Sequence, residues 1–209
     1  MGINDLRPGA TGKLKLLFKA SNNSMGTSHV APPQAAPCDK NPLIYTVFRT
    51  PLGLTGVAAT PAGICRVVLT LSGEPEFLKT LKSLDPFPQK KTGPLRTVEK
   101  EFRLYFRGKL RKFSCKPDLS RGTRFQQRIW KKLMTIPFGK TRSYQWLARA
   151  TGHPLACRAA GNANGRNPVP LIVPCHRVIR QNGDLGGFTG GIHLKQFLLD
   201  LETKSHAAL

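Results

Sequence analysis

Residues 167–179 read Asn-Pro-Val-Pro-Leu-Ile-Val-Pro-Cys-His-Arg-Val-Ile. The thiol of Cys175 stands between Pro174 and the imidazole of His176. A thiolate is a strong nucleophile, and a thiol reaches that state when a base or cation beside it favours loss of its proton. These residue types therefore suit nucleophilic chemistry at sulfur. Proline fixes φ and lacks an N–H, so Pro168, Pro170 and Pro174 are expected to hold the stretch extended. Leu171, Ile172 and Val173 would form a short buried, strand-like lead-in. The same features also fit an ordinary core strand. Free cysteine is among the most buried residue types, and neighbours on an extended chain point to opposite sides.

Around Cys175 the sequence resembles the O6-alkylguanine-DNA alkyltransferases, which repair DNA by a suicide transfer. Pro174-Cys175-His176-Arg177-Val178 matches their active-site signature. Phe125-Gln126, Ile129-Trp130, Ser143-Tyr144-Gln145, Arg158-Ala159, Asn167-Pro168, Gly183 and Gly190-Gly191 follow the family pattern in order, so that the likeness runs from about Gly122 to Glu202. The resemblance implies that Cys175 accepts an alkyl group from O6-alkylguanine in double-stranded DNA by SN2 displacement. It implies that His176 acts on Cys175 through a water and that Glu202, 27 positions after Cys175, orients the imidazole. Tyr144 would serve the leaving base, and Asn167 would brace the turn between recognition helix and active site. Arg158 would fill the gap left by an extruded base, on a helix whose Ala156, Ala159 and Gly161 lie against the minor groove. Pro170, Val178, Thr189 and Gly190 would shape the base pocket, with Arg177 counted among the substrate or DNA contacts. Cys157 departs from the pattern, standing where small apolar residues are usual. The implied fold is a small RNase-H-like α/β domain, then a mostly helical, winged-helix-like catalytic domain. No cofactor and no metal is implied, and the protein would act as a monomer.

The elements that must position these residues are visible in the rest of the chain. Residues 1–42 are poor in large apolar side chains, as in Ala31-Pro32-Pro33-Gln34-Ala35-Ala36-Pro37, and are expected to be mostly disordered. Residues 43–115 form a first domain in this reading. Leu43–Phe48, Leu54–Ala59 and Ile64–Leu71 are β-branched runs separated by turn residues and predict a three-stranded antiparallel meander. A short helix is expected over 76–84 and a basic loop over 89–93. Val98, Phe102, Tyr105 and Phe106 recur at helical spacing within 97–113. Residues 116–209 form the second domain. Thr123 and Ser143 are placed to cap helices over 124–134 and 144–151. A third helix over 155–164, rich in Ala and Gly, completes a helix-turn-helix after Gly152-His153-Pro154. The Gly-rich run 186–191 suits a pocket wall, since no Gly-Lys-Ser/Thr follows it. A closing amphipathic helix is expected over 193–202.

Composition narrows the partners. The chain has 209 residues, 33 Lys and Arg against 11 Asp and Glu, and a formal charge of +22. Of these, 18 basic and 7 acidic residues precede position 115, and 15 and 4 follow it, so the charge is not one detachable tail. Such a balance favours a polyanion, most simply nucleic acid. The five cysteines, Cys38, Cys65, Cys115, Cys157 and Cys175, are odd in number and widely spaced, and fit neither a disulfide framework nor a zinc site. Free thiols point to a reducing compartment: the cytoplasm, or the nucleus in a eukaryote. No apolar run is long enough to predict a membrane span. Two other functions remain open on the residues alone. One is a non-catalytic DNA-binding module, and the other is a cysteine hydrolase with a distant histidine.

Overall fold

The computed structural model describes residues 42–207. The extension expected over 1–42 lies, but for its last residue, outside the described residues. Three strands follow one another as the alternating runs predict: β1 (Ile44–Thr50), β2 (Gly53–Thr60) and β3 (Gly63–Leu71). Tight turns with Pro51 and Pro61 join them, and β1–β2 and β2–β3 pair antiparallel. The sheet has a fourth member in the stretch expected to be a basic loop. After α1 (Glu74–Leu81), residues Gln89–Lys90 form β4 and pair parallel to β1, so that the order is β3-β2-β1-β4. Two exposed polar residues carry no strand signal; backbone bonds from Gln89 and Lys91 to Leu43 and Tyr45 create it.

Both faces of the sheet are covered. On one side Tyr45, Ala58, Cys65 and Leu71 pack with Phe77 and Leu81 of α1. On the other, Phe48, Val57, Ile64, Val67 and Leu69 pack with Val98, Phe102 and Tyr105 of α2 (Arg96–Phe106) in an apolar cluster that reaches Ile129, Leu147, Val173 and Leu198. Fully burying one such side chain contributes about 1.5–3 kcal/mol. Helix α2 stops well short of the expected residue 113. Gly108 takes φ +70, the left-handed turn favoured at helix C-termini, and its N–H bonds Tyr105 O at 2.9 Å.

The second half is mostly helical. Thr123 caps α3 (Arg124–Leu133) in a reciprocal box with Gln126, and Ser143 Oγ accepts from Trp146 N to cap α4 (Tyr144–Ala150). Each cap contributes about 1 kcal/mol. Helix α5 (Cys157–Gly165) begins two residues later than expected. A turn closed by Ala156 N to His153 O comes first, and no side chain at Leu155 or Ala156 caps an earlier start. Helix α6 (Ile192–Ala207) runs past Glu202, since neither Gly nor Pro follows to stop it. Two short strands, β5 (Arg142–Ser143) and β6 (Val178–Ile179), pair parallel and tie the start of α4 to the segment after Cys175. The edge of β3 bonds to the same half, with Ile64 N to Lys116 O and Val67 N to Pro168 O, both 2.9 Å. No helix among the described residues is long and apolar enough to cross a membrane.

Candidate active site

The proline-rich stretch before Cys175 is not extended throughout. Val173 N bonds Val169 O at 3.0 Å, and Leu171 at the bend has φ +72. A non-glycine residue in that region is strained and persists only where its surroundings over-determine it. Leu171 is 2 % exposed, and its apolar packing holds it there. The Asn167 side chain spans the bend, its Nδ2 donating to Val173 O (2.7 Å) and its Oδ1 accepting from Val169 N (3.0 Å). Cys175 then opens a short 3-10 turn, Cys175–Arg177, instead of ending a strand. Buried Asn164 on α5 donates to Cys175 O at 3.3 Å.

Glu202 gathers the polar groups behind Cys175. Its carboxylate lies 2.8 Å from His176 Nε2 and accepts two bonds from Arg177, from Nε and Nη2, both 2.8 Å. Tyr105 Oη donates to it at 2.7 Å and Gly139 N at 3.0 Å. Burial would raise the Glu202 carboxyl, but the hydrogen bonds and charges of His176 and Arg177 prevail and hold it well below the usual carboxylate range. Burial lowers the His176 pKa, and Arg177 and Lys195 act in the same direction, against Glu202. The neutral imidazole is thus favoured. With Nε2 facing a carboxylate, the proton sits on Nε2, and Nδ1 keeps its lone pair. Nδ1 is buried without a hydrogen-bond partner among the described residues.

Cys175 is 5 % exposed. Burial pushes its thiol up, while the Asn167 side chain and the charge of Lys195 pull it back down. Lys195 is completely buried on α6, bonded to Val178 O (2.5 Å), to the Leu185 carbonyl and to Tyr144 Oη (3.5 Å). Burial lowers its pKa to about 8, with Cys175 acting against that shift. The Tyr144 pKa is raised, first by burial and then by Cys175. Gly186 has φ +68, and a Cβ there would stand 2.9 Å from the Tyr144 ring, so the loop closes over the ring only with glycine.

Cys175 lines a cavity of about 310 Å³ with Asn167, Pro170, Thr189 and Gly190. Thr189 Oγ1 donates to Gly165 O at 2.8 Å, pinning the loop to the end of α5. A broader surface groove of about 650 Å³ shares Gly165, Gly187, Phe188 and Thr189 with this cavity and adds Tyr144, Arg158, Gly161 and Arg180. Arg158 and Ala159 are exposed on α5, while Ala160 and Ala163 pack inward and Ala163 O accepts from Trp130 Nε1 at 2.8 Å. Ala156 precedes the helix as its N-terminal flanking residue. The exposed face of α5 thus opens onto the same groove as Tyr144.

Two expected contacts lie elsewhere. Arg177 is 6 % exposed, and its guanidinium is occupied by Glu202 and by Ile136 O (2.7 Å), so it does not face a surface ligand. Val178 is fully buried, and its carbonyl is taken by Lys195. Lys195, Tyr105 and Asn164 were missed, as was a cavity wall formed by residues 66–70 of β3 and by Glu76. The spacing of Lys195 to Leu198 and Glu202 on α6, three and seven positions, was the available signal for a buried lysine. Tyr105, 97 positions from Glu202, gave none. Among the described residues no three His, Cys, Asp or Glu side chains converge as a metal site requires.

Comparisons with known proteins follow the same lines. Residues 124–204 match the family described as 6-O-methylguanine DNA methyltransferase, DNA binding domain. A methylated-DNA–protein-cysteine methyltransferase of Mycobacterium tuberculosis is 47 % identical over 146 residues, which span 66 % of this chain and 87 % of the relative. The constitutive methylated-DNA–protein-cysteine methyltransferase of Bacillus subtilis is 39 % identical over 163 residues, 78 % of this chain and 96 % of the relative. Among solved structures, Mycobacterium tuberculosis OGT in complex with DNA matches with a TM-score of 0.68 at 37 % identity, covering 78 % of this chain and 94 % of that one.

Proposed function

The chain belongs to the methylated-DNA–protein-cysteine methyltransferase family, and from that premise we propose that it repairs double-stranded DNA by moving the alkyl group of O6-alkylguanine onto its own Cys175, once per molecule. One observation carries the assignment to Cys175. The thiol lines a cavity, and the histidine beside it is buried, fixed by Glu202 through Nε2, and left with an unpaired Nδ1. That tautomer can accept a proton. His176 takes the Cys175 proton through one bridging water, and the sulfur attacks the alkyl carbon. The new S–C bond forms as the C–O6 bond breaks, and the electron pair leaves on the guanine. Tyr144 serves the leaving base with its hydroxyl. Lys195 favours the thiolate by its charge, and Arg177 positions Glu202. Asn167 holds the turn that aims Cys175.

The base must leave the duplex to reach a buried sulfur, at a cost of a few kcal/mol. Arg158 fills the gap, with Ala156, Ala159 and Gly161 giving α5 a narrow face for the minor groove. Pro170, Thr189 and Gly190 wall the cavity that receives the base. In this reading residues 43–115 are a small RNase-H-like domain and 116–209 a winged-helix-like catalytic domain. The protein acts as a monomer in the cytoplasm, or in the nucleus of a eukaryote.

Arg158→Ala should slow repair of alkylated duplex by about tenfold or more, the scale of lost support for an extruded base. It should leave reaction with a free alkylated base unchanged, and parallel single-turnover assays on the two substrates measure the split. Equal slowing on both would give Arg158 a role in the pocket or in folding. The proposal itself is tested by peptide mass spectrometry after incubation with O6-methylguanine duplex. The Cys175 peptide should gain the mass of one CH2, a methyl replacing a hydrogen. An unmodified peptide would favour a non-catalytic DNA-binding module.

A further inference from the structure

Away from Cys175, three arginines line one cavity. A cavity of about 210 Å³ is lined by Arg66 of β3, Arg121 before α3 and Arg166 at the end of α5, over a floor that includes Leu84, Trp130 and Pro168. None of the three forms an ion pair among the described residues. Asp118 lies on the same wall, accepting from Thr60 Oγ1 (2.6 Å) and from Ser120 N (3.0 Å) and Oγ (2.7 Å), and its one negative charge, felt by Arg121, offsets only part of the three positive charges. Arg121 spends one N–H on Leu84 O at 2.9 Å. Arg66 Nε is buried without a partner among the described residues, a state that costs free energy until an acceptor arrives. Burial lowers the Arg66 pKa, Cys65 acts against that shift and Arg121 adds to it.

We propose that this cavity is an anion site for a phosphate group, held by the guanidinium groups of Arg66, Arg121 and Arg166. Guanidinium forks match tetrahedral oxyanions in charge and geometry, and bonds to phosphate are about twice as strong as neutral ones. The amino end of α3 adds its partial positive charge, since Gly122 and Gln126 also line the space. The site is mechanically joined to the Cys175 cavity. Arg66 lines both, Val67 N bonds Pro168 O, and Arg166 and Pro168 flank Asn167. The phosphate comes from the DNA backbone or from a free phosphomonoester, and the cavity chemistry is shared by both.

The test uses the full chain and orthophosphate, titrated calorimetrically at constant ionic strength. One variant combines Arg66→Gln, Arg121→Gln and Arg166→Gln. A control combines Arg107→Gln, Arg111→Gln and Lys112→Gln, removing three charges from the exposed loop after α2. Wild type and control should bind one phosphate alike, and the cavity variant at least about tenfold more weakly. Equal weakening in both variants, or no saturable binding by wild type, overturns the proposal. If circular dichroism shows the triple variant unfolded, Arg66→Lys with Arg166→Gln replaces it and should show the same drop, since lysine lacks the fork. Duplex binding across salt then separates the sources. A backbone phosphate lowers the slope of log K against log salt by about 1 relative to the control. A free phosphomonoester leaves the two slopes equal while the phosphate titration still separates the variants.

Discussion

Glu202→Ala is expected to destabilise the fold by about 3–5 kcal/mol, because it leaves the Arg177 guanidinium buried with its principal partner gone. Glu202 is 1 % exposed and accepts from His176, Arg177, Tyr105 and Gly139, so no water replaces it at low cost. Alkyl transfer should fall by about a hundredfold in the molecules that remain folded, since the imidazole loses the group that fixes its tautomer. Glu202→Gln keeps the shape but turns one acceptor oxygen into an NH2 donor and loses the charge, and should fall between wild type and alanine in stability. Urea unfolding and single-turnover transfer measure the two effects. Wild-type stability retained in the alanine variant would mean that the Glu202 cluster contributes nothing to the fold.

The same cluster sets the response to acid. The folded-state pKa of His176 is lowered and so is that of Glu202. In both cases the unfolded chain binds more protons than the folded one, so stability falls as pH falls. The loss begins as pH drops through the ordinary histidine value of about 6.5 and deepens below the ordinary glutamate value of about 4.3.

Cys175→Ser is expected to abolish transfer, a loss of at least about four orders of magnitude. A serine hydroxyl is nearly the same size but stays protonated in a site where even the thiol is pushed up by burial. DNA binding should survive, because α5 and its exposed face are untouched. Electrophoretic binding and methyl-transfer assays on one preparation separate the two. Residual transfer would identify another thiol, with exposed Cys157 the first to examine.

Much of this arrangement was legible because it is local. The Pro-Cys-His-Arg run, the Thr123 and Ser143 caps and the three strands are set by residues close in sequence. Cys175 and His176 stand in one short run that on residue types alone also fits a core strand, and the family resemblance marks both, with Glu202, as a site. What escaped depends on tertiary packing. Three prolines read as an extended chain, yet apolar burial of Leu171 and the Asn167 amide bend that stretch into a turn. Arg177 is expected among the substrate or DNA contacts and Lys195 carries no expectation, yet both are buried because carbonyls and a carboxylate meet them. Two residues at 89–90 become a strand only because β1 offers an edge. Tyr105 and β3 reach the site across more than 70 positions of sequence, beyond any local pattern.

The proposed transfer to Cys175 runs without turnover. S-methylcysteine is a thioether, and thiol–disulfide exchange cannot remove its methyl group. The most direct measurement mixes the protein with a large excess of O6-methylguanine duplex and counts methyl groups transferred per chain over time. A burst that ends at no more than one equivalent, with every methyl on Cys175, is the expected result. Continued product formation beyond one equivalent, with Cys175 recovered unmodified, would contradict it and point to a hydrolase or demethylase.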